Sequence, residues 1–265
     1  MPTSHVVEVQ GLQLHYLEWG ARGNPDLLLV HGWTGLAETW TAVAEALQDR
    51  YHIIAPDLRG HGRTDKPATG YHLRDFARDI VQLVERAGLQ RPAYVGHSWG
   101  GNIGTLLASD YPEAISAAFL EDPVYWKMIN AFVTSLPAAL ARRDRPESAI
   151  RADAQARGLD AAAIDAELFR HHHFSRDAIT RLLTDNREWA FRCEDHLRRI
   201  AVPALVLVAD IAAGGYMLPE ELAYYRTIAS PNADFRLWPD VGHLMHDTRP
   251  AQFIAELTTF LDATR

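Results

Sequence analysis

The segment from Gly96 to Gly100 reads Gly-His-Ser-Trp-Gly, a Gly-x-Ser-x-Gly motif with Ser98 at its centre. A short apolar run precedes the motif and a helical pattern follows it, so Ser98 is predicted to lie on a sharp turn between a strand and a helix. Glycines are needed two residues before and after the serine, because a side chain at either position would collide within so tight a turn. The first turn of the following helix directs its N–H groups and its dipole towards the serine. This arrangement is typical of a nucleophilic serine.

A nucleophilic serine needs a base that accepts its proton and an acid that orients the base. Among the 13 histidines, His243 is the candidate base, because it follows a turn after the last predicted strand. His246 is expected to point away from that site. The expected chain order is serine, acid, histidine, and two aspartates satisfy it. Asp122 and Asp210 each end a predicted strand between Ser98 and His243, so the order alone leaves both open.

Strand and helix patterns alternate around these residues. The first two strand patterns are joined at Gln10–Gly11 and predict an antiparallel hairpin. The later runs are continuously apolar, as expected for strands buried on both faces of a parallel sheet. Together they predict an α/β fold with a doubly wound, mostly parallel, eight-stranded sheet. The predicted strands are 6–9, 12–17, 26–30, 52–56, 93–95, 115–120, 204–208 and 235–238.

The strand patterns stop between about Val124 and Arg198, where the chain is rich in Ala and Arg and has helical patterns. We therefore expect residues 1–123 and 199–265 to form the α/β core and residues 124–198 to form an inserted helical lid. Aromatic residues of this lid are candidates for the walls of a substrate pocket. They are Tyr125, Trp126 and Phe132, with Phe169 and Trp189 as further candidates.

These motifs together resemble the α/β-hydrolase superfamily over essentially the whole chain. The matching pieces are His31–Gly32–Trp33, the loop Asp57–Gly62, the Gly96–Gly100 turn and Gly242–His243. The resemblance implies that the backbone N–H groups of Trp33 and Trp99 form an oxyanion hole. The loop that begins at Asp57 is expected to be structural, with Arg59 tying strand ends together.

The turn around Ser98 is similar to those of epoxide hydrolases and haloalkane dehalogenases, which carry aspartate as the nucleophile. Their chemistry needs a carboxylate that forms an alkyl ester, so serine at this position indicates acyl transfer. Many members of the superfamily place the acid in a Gly-x-x-Asp turn, whereas this chain has only Asp210 there. The position of Asp122 resembles that in the dehalogenases, the zearalenone lactonases, 2-(acetamidomethylene)succinate hydrolase and the cofactor-free dioxygenases, and it favours Asp122 as the acid.

The function expected from these residues is that of a serine hydrolase that cleaves a carboxylic ester, lactone or amide of a small, largely apolar substrate. Two alternatives remain: a cofactor-independent dioxygenase of the same fold and a non-catalytic ligand-binding member. No cofactor is expected. No metal is expected either, because the three consecutive imidazoles of His171–His173 cannot all face one ion on a helix. This cluster is expected to be solvated or to face the lid.

The composition limits the kinds of partner and the cellular compartment that we expect. The formal net charge is −8 and no run of Lys or Arg forms a basic stripe, which argues against nucleic acid. A single cysteine, Cys193, excludes an internal disulfide and suits a reducing compartment. No charged-then-apolar leader and no apolar stretch of about 20 residues is present, so no membrane is expected. We expect a cytoplasmic protein, monomeric or homodimeric, that acts on a small molecule.

Overall fold

The computed structural model describes residues 1–125 and 136–265. Two of the proposed pocket residues, Trp126 and Phe132, therefore lie outside the described residues. Eight strands form one sheet in the order β1-β2-β4-β3-β5-β6-β7-β8. They are β1 (Thr3–Val9), β2 (Leu12–Trp19), β3 (Asp26–Val30), β4 (His52–Pro56), β5 (Ala93–His97), β6 (Ala117–Glu121), β7 (Ala204–Ala209) and β8 (Ala233–Trp238).

The sheet confirms the predicted fold class. Strand β2 pairs antiparallel with both β1 and β4, and all the other neighbouring strands pair in parallel. Strands β4, β6 and β7 are buried along their whole length, because helices cover both faces of the sheet. Parallel strands end at the same edge, so the loops after β3, β5, β6 and β7 meet there.

Helices pack on both faces of the sheet. On one face, Phe76 and Ile80 of α2 (Leu73–Ala87) pack with Tyr94 of the sheet, and on the other, Trp40 packs against Phe253 of α10 (Pro250–Ala263). Helix α2 ends where Gly88 adopts the left-handed conformation, with φ of 73°. The helices are α1 (Thr41–Leu47), α2 (Leu73–Ala87), α3 (Trp99–Asp110), α4 (Glu147–Ala156), α5 (Ala161–His172), α6 (Arg176–Thr184), α7 (Trp189–Arg198), α8 (Pro219–Ile228), α9 (Met245–Thr248) and α10 (Pro250–Ala263), and residues 136–143 are also helical.

Helix α6 belongs to the segment between β6 and β7, and polar contacts at both of its ends fasten it to the sheet layer. At its start, the Ser175 N–H donates to Gly60 O at 3.0 Å. Just beyond its end, the buried Asn186 accepts from the Leu73 N–H at 2.7 Å and donates to Tyr71 O at 2.6 Å. These bonds satisfy both functions of the amide, so α6 is a fixed wall above the sheet edge.

The loop after β4 is structural, as expected, but Arg59 does not tie strand ends together. The Asp57 carboxylate is fully buried and accepts from the Ala37 N–H at 2.8 Å and the Arg63 N–H at 2.9 Å. The Arg59 guanidinium instead makes two hydrogen bonds of 2.6 Å to Asp79. A bidentate pair of this kind needs a carboxylate that faces the guanidinium squarely, and helix α2 offers one. Arg59 therefore clamps the loop onto α2.

The histidine cluster His171–His173 is not solvated as a whole, which corrects one of the two expectations for it. His173 is 4% exposed and its Nε2 donates to Gly35 O at 2.9 Å. The contact joins the inserted helices to the loop after β3. No helix within 1–125 and 136–265 is long and apolar enough to cross a membrane.

Candidate active site

Ser98 lies between β5 and α3 in a strained backbone conformation, with φ of 53° and ψ of −113°. A Cβ on Gly96 would lie 2.3 Å from Gly100 O, and a Cβ on Gly100 would lie 2.3 Å from Val30 O. Any residue other than glycine at either position would push backbone apart, which explains the motif. The Ser98 N–H donates to Glu121 O at 2.8 Å, so the turn is held against the end of β6.

The structure brings Asp122 and His243 together. His243 Nδ1 lies 2.7 Å from Asp122 Oδ2, and Asp122 is fully buried. The same carboxylate accepts from the Ala209 N–H at 3.1 Å and the Tyr216 N–H at 3.2 Å. An ionised carboxylate only accepts, so Nδ1 carries the hydrogen and Nε2 is left with its lone pair. Within the described residues Nε2 has no hydrogen-bond partner.

Asp210, the alternative acid, binds backbone N–H groups and does not contact His243. Its carboxylate accepts from the Ala212 N–H at 2.9 Å and from the Asp240 N–H at 3.0 Å. These two backbone hydrogen bonds, the Asp240 one foremost, lower the pKa of the Asp210 carboxyl group. Asp210 thus ties the end of β7 to the turn that precedes His243, without reaching the imidazole. The order of residues along the chain could not show this.

His246 does turn away from Asp122, and it meets a second buried carboxylate, that of Glu121. His246 Nδ1 lies 2.7 Å from Glu121 Oε2. Burial is the largest influence and would lower the pKa of His246, but the charge of Glu121, its hydrogen bond and the charge of Asp247 together raise the pKa. Burial would likewise raise the pKa of Glu121, and the nearby imidazoles of His246 and His97 lower it instead. Sequence reasoning missed Glu121; the available signal was an acidic residue directly before Asp122.

A cavity of about 470 Å³ opens beside Ser98. The four predicted site residues Ser98, His243, Trp33 and Trp99 all line it. Leu182 and Leu183 of α6 form an apolar wall, together with Val124 and Leu244. The remaining lining residues are Gly32, Thr34, Gly35, Thr39, His97, Asn102, Tyr216 and Asp247.

The loop that carries Trp33 passes directly against the serine. A Cβ on Gly32 would lie 3.0 Å from Ser98 Cβ and 2.9 Å from His97 Nδ1, so only glycine fits there. Trp99 is the first residue of α3, where a backbone N–H has no partner within the helix. Both backbone segments therefore lie next to Ser98, and their role as an oxyanion hole stays a prediction.

Tyr125 does not line the cavity, contrary to expectation. Its hydroxyl lies 2.8 Å from Thr105 Oγ1, and its ring packs edge-on against Tyr225 at 5.4 Å. The side chain is 3% exposed and fills the space between α3 and α8. Because the hydroxyl finds a partner on α3, the ring is drawn beneath that helix and away from Ser98.

The two further aromatic candidates also lie elsewhere. Trp189 packs on His196 at 5.1 Å, at the start of α7. Phe169 lies under the Arg63 guanidinium, 4.8 Å from its ring centroid. Neither residue is among those that line the cavity beside Ser98, so the described lid wall is aliphatic.

Comparison with known proteins gives partial matches to several enzymes. The chain is 36% identical over 122 residues to a soluble epoxide hydrolase of Corynebacterium sp., covering 46% of this chain and 42% of that protein. The chain therefore spans less than half of that relative.

Several solved structures match almost the whole chain. E-2-(acetamidomethylene)succinate hydrolase is 22% identical with a TM-score of 0.81, covering 99% of this chain and 100% of the other. Est816, an N-acyl homoserine lactone degrading enzyme, is 26% identical with a TM-score of 0.71, covering 97% and 100%.

A family model described as the alpha/beta hydrolase fold matches residues 25–206, which run from the start of β3 into β7. This stretch includes the loop of Trp33, the turn of Ser98 and the strand end of Asp122. The sheet order and the position of the strained serine agree with that match. The chain belongs to the alpha/beta hydrolase fold family.

Proposed function

We propose that this protein is a serine hydrolase that cleaves a carboxylic ester, lactone or amide through an acyl-enzyme intermediate. The observation that carries the proposal is the pair Asp122–His243, joined at 2.7 Å, on the same cavity as Ser98. The pair leaves His243 Nε2 as a base, and the strained turn presents Ser98 to the cavity. These are the parts that acyl transfer to a serine requires.

In the first half of the reaction, Ser98 Oγ attacks the carbonyl carbon while His243 Nε2 takes its proton. Asp122 stabilises the imidazolium that forms, and it keeps the imidazole in the required tautomer. The negative charge that develops on the substrate oxygen is accepted by the backbone N–H groups of Trp33 and Trp99. Each preorganised donor of this kind lowers the barrier by about 3–4 kcal/mol.

Collapse of the tetrahedral intermediate expels the alcohol or amine, which takes the proton from His243. Water then attacks the acyl group on Ser98, with His243 as its base, and the carboxylic acid leaves. In this scheme the described helices between residues 136 and 198 belong to a lid that limits the access of water to the cavity.

The cavity supports a small, largely apolar substrate. A volume of about 470 Å³ is within the usual range for one small molecule, and Leu182, Leu183 and Val124 give it an apolar wall. The similarity to a lactone-degrading enzyme agrees with an acyl substrate.

Epoxide hydrolysis is not proposed, despite the partial similarity to an epoxide hydrolase. Ser98 attack on an epoxide would form an ether. An ether has no carbonyl carbon for water to attack, so the enzyme would not be regenerated.

The test combines a covalent label with turnover. A fluorophosphonate should label the wild-type protein at Ser98, identified by mass spectrometry, and short p-nitrophenyl esters and lactones should be hydrolysed. Ser98→Ala should fold normally, escape labelling and lose turnover by orders of magnitude.

Oxygen uptake during turnover would instead support the dioxygenase alternative. A wild-type protein that is neither labelled nor active on any ester, lactone or amide would overturn the proposal.

A further inference from the structure

Glu121 is a fully buried carboxylate at the end of β6 that the proposed reaction does not use. Its Oε1 accepts from the Met245 N–H at 2.7 Å and from the His246 N–H at 3.0 Å. Its Oε2 lies 2.7 Å from His246 Nδ1. All of these contacts are with one short segment, which begins two residues after His243. Glu121 therefore grips the backbone that carries the base.

The backbone of Glu121 contacts the rest of the site. Its carbonyl oxygen accepts from the Ser98 N–H at 2.8 Å, and its peptide bond leads directly to Asp122. Strand β6 ends at Glu121, and Asp122 has a left-handed backbone conformation with φ of 40°. Asp122 contacts the His243 side chain, while Glu121 contacts the backbone beyond it. One residue thus links the nucleophile, the acid and the base.

His97 completes this buried network from the other side. Its Nε2 donates to His243 O at 3.1 Å, and its ring lies 4.5 Å from the His243 ring and 5.1 Å from that of His246. Burial lowers the pKa of His97 to about 3, so this imidazole is neutral. The segment from His243 to His246 is therefore held by Glu121 at one end and by His97 at the other.

Burial of a carboxylate in a protein interior is costly in free energy. Removing it from water is unfavourable, and buried ion pairs are often no more stabilising than apolar residues of the same volume. Packing alone does not explain the choice of glutamate at this point. Two backbone N–H groups and a ring N–H that converge on one side chain fix direction as well as distance.

We propose that Glu121 is a positioning residue that sets the place of His243 relative to Ser98. The inference rests on the proposed serine hydrolase function, in which proton transfer between Ser98 and His243 needs a correct distance and angle. Glu121 does not touch the substrate. Its effect should therefore appear in kcat rather than in KM.

Two substitutions separate hydrogen bonding from charge. Glu121→Leu removes every acceptor, and it leaves the N–H groups of Met245 and His246 without a partner. Glu121→Gln keeps Oε1 for both N–H groups, and its amide can donate to His246 Nδ1 in the other neutral tautomer. Glu121→Gln is thus the conservative variant that should rescue activity.

The matched control is Asp26→Leu at the opposite edge of the sheet. Asp26 accepts from the Gln90 N–H at 2.6 Å and lies 2.6 Å from His52 Nδ1. It therefore offers the same chemistry, a carboxylate with a backbone N–H and an imidazole. It begins β3, at the end of that strand remote from the active site.

The experiment measures kcat, KM and Tm with a p-nitrophenyl ester that the wild type hydrolyses and Ser98→Ala does not. Glu121→Leu should lower kcat about 100-fold, as expected for a misplacement of about 1 Å, with KM changed less than about twofold. Glu121→Gln should recover most of that loss. Asp26→Leu should lower Tm and leave kcat within about twofold of the wild type.

Equal effects of Glu121→Leu and Asp26→Leu on kcat, or a loss confined to Tm, would overturn the inference. If Glu121→Leu does not fold, Glu121→Asp replaces it, because a side chain shorter by one methylene cannot reach both N–H groups. Unchanged kcat in that variant would be equally decisive. Absence of Ser98-dependent turnover in the wild type would be a failure of the proposed function instead, and the two failures are distinguishable.

Discussion

Replacement of Asp122 by asparagine tests the identity of the acid. Asp122 has φ of 40°, a left-handed conformation that asparagine tolerates well, so the backbone should not change. The amide nitrogen would, however, replace either Oδ2, which faces His243 Nδ1 and the Tyr216 N–H, or Oδ1, which faces the Ala209 N–H. A donor opposite Nδ1 favours the tautomer with hydrogen on Nε2. That tautomer cannot accept the proton of Ser98.

The magnitude follows from this change of tautomer. In a related triad, the aspartate-to-asparagine change lowers turnover by about four orders of magnitude, which is roughly 5.5 kcal/mol on the barrier. Asp210→Asn should be mild. Asp210 receives two backbone N–H groups and does not contact His243. Loss of one hydrogen bond at this solvent-accessible carboxylate should change stability little, and we expect turnover to fall tenfold at most.

The assay is the steady-state hydrolysis of a short p-nitrophenyl ester at pH 7.5, with Tm recorded for each variant. Asp122→Asn should keep its Tm within a few degrees and lose about 10⁴-fold in kcat. The opposite ranking of the two variants would refute the assignment. A loss of less than about tenfold in a folded Asp122→Asn protein would refute it as well.

Two further predictions concern the cavity wall and the buried histidines. Leu183→Ala should raise the ratio of hexanoate-ester to acetate-ester hydrolysis about tenfold, since one methylene in an apolar pocket changes the discrimination between substrates by about 1–3 kcal/mol. Its control is Ile179→Ala, which is also buried on α6 but does not line the cavity, and which should leave that ratio unchanged. Burial lowers the pKa of His31 to about 4 and that of His97 to about 3. Between pH 6.5 and 5, these histidines therefore bind protons in the unfolded chain but not in the folded one. Each of them should lower the free energy of unfolding by about 2 kcal/mol at pH 5. Urea unfolding should show that the free energy of unfolding falls between pH 7 and pH 5 by about 2 kcal/mol less in His97→Gln than in the wild type. An equal fall in the two proteins would contradict the reasoning.

The fold could be predicted because it depends on patterns that are local in the chain. Continuous apolar runs such as Leu27–Val30 are stable only when both faces are covered, and the helical patterns between them supply the cover. The prediction erred at strand ends, where the pattern is weakest. Strand β6 was predicted to end at Leu120 and extends to Glu121, which placed Glu121 outside the expected core.

The sequence by itself determined the turn that carries Ser98. Gly100 is required by the approach of Val30 O and His31 O from a distant part of the chain, whereas Gly96 is required by a collision with Gly100 O, only four residues away. Such short-range steric demands can be read from residue types alone. The same holds for Ser98, because the motif and its flanking strand and helix are contiguous in the chain.

The tertiary structure alone decided which aspartate contacts His243 and what forms the cavity wall. Asp122 and Asp210 both end parallel strands at the same edge of the sheet. Their separation depends on side-chain direction at the strand ends, where Asp122 takes φ of 40° and Asp210 folds back onto the Asp240 N–H. Tyr125 was likewise drawn under α3 by a partner 20 residues earlier in the chain, Thr105. Contacts between distant segments set these directions, and they have no periodic signature in the sequence.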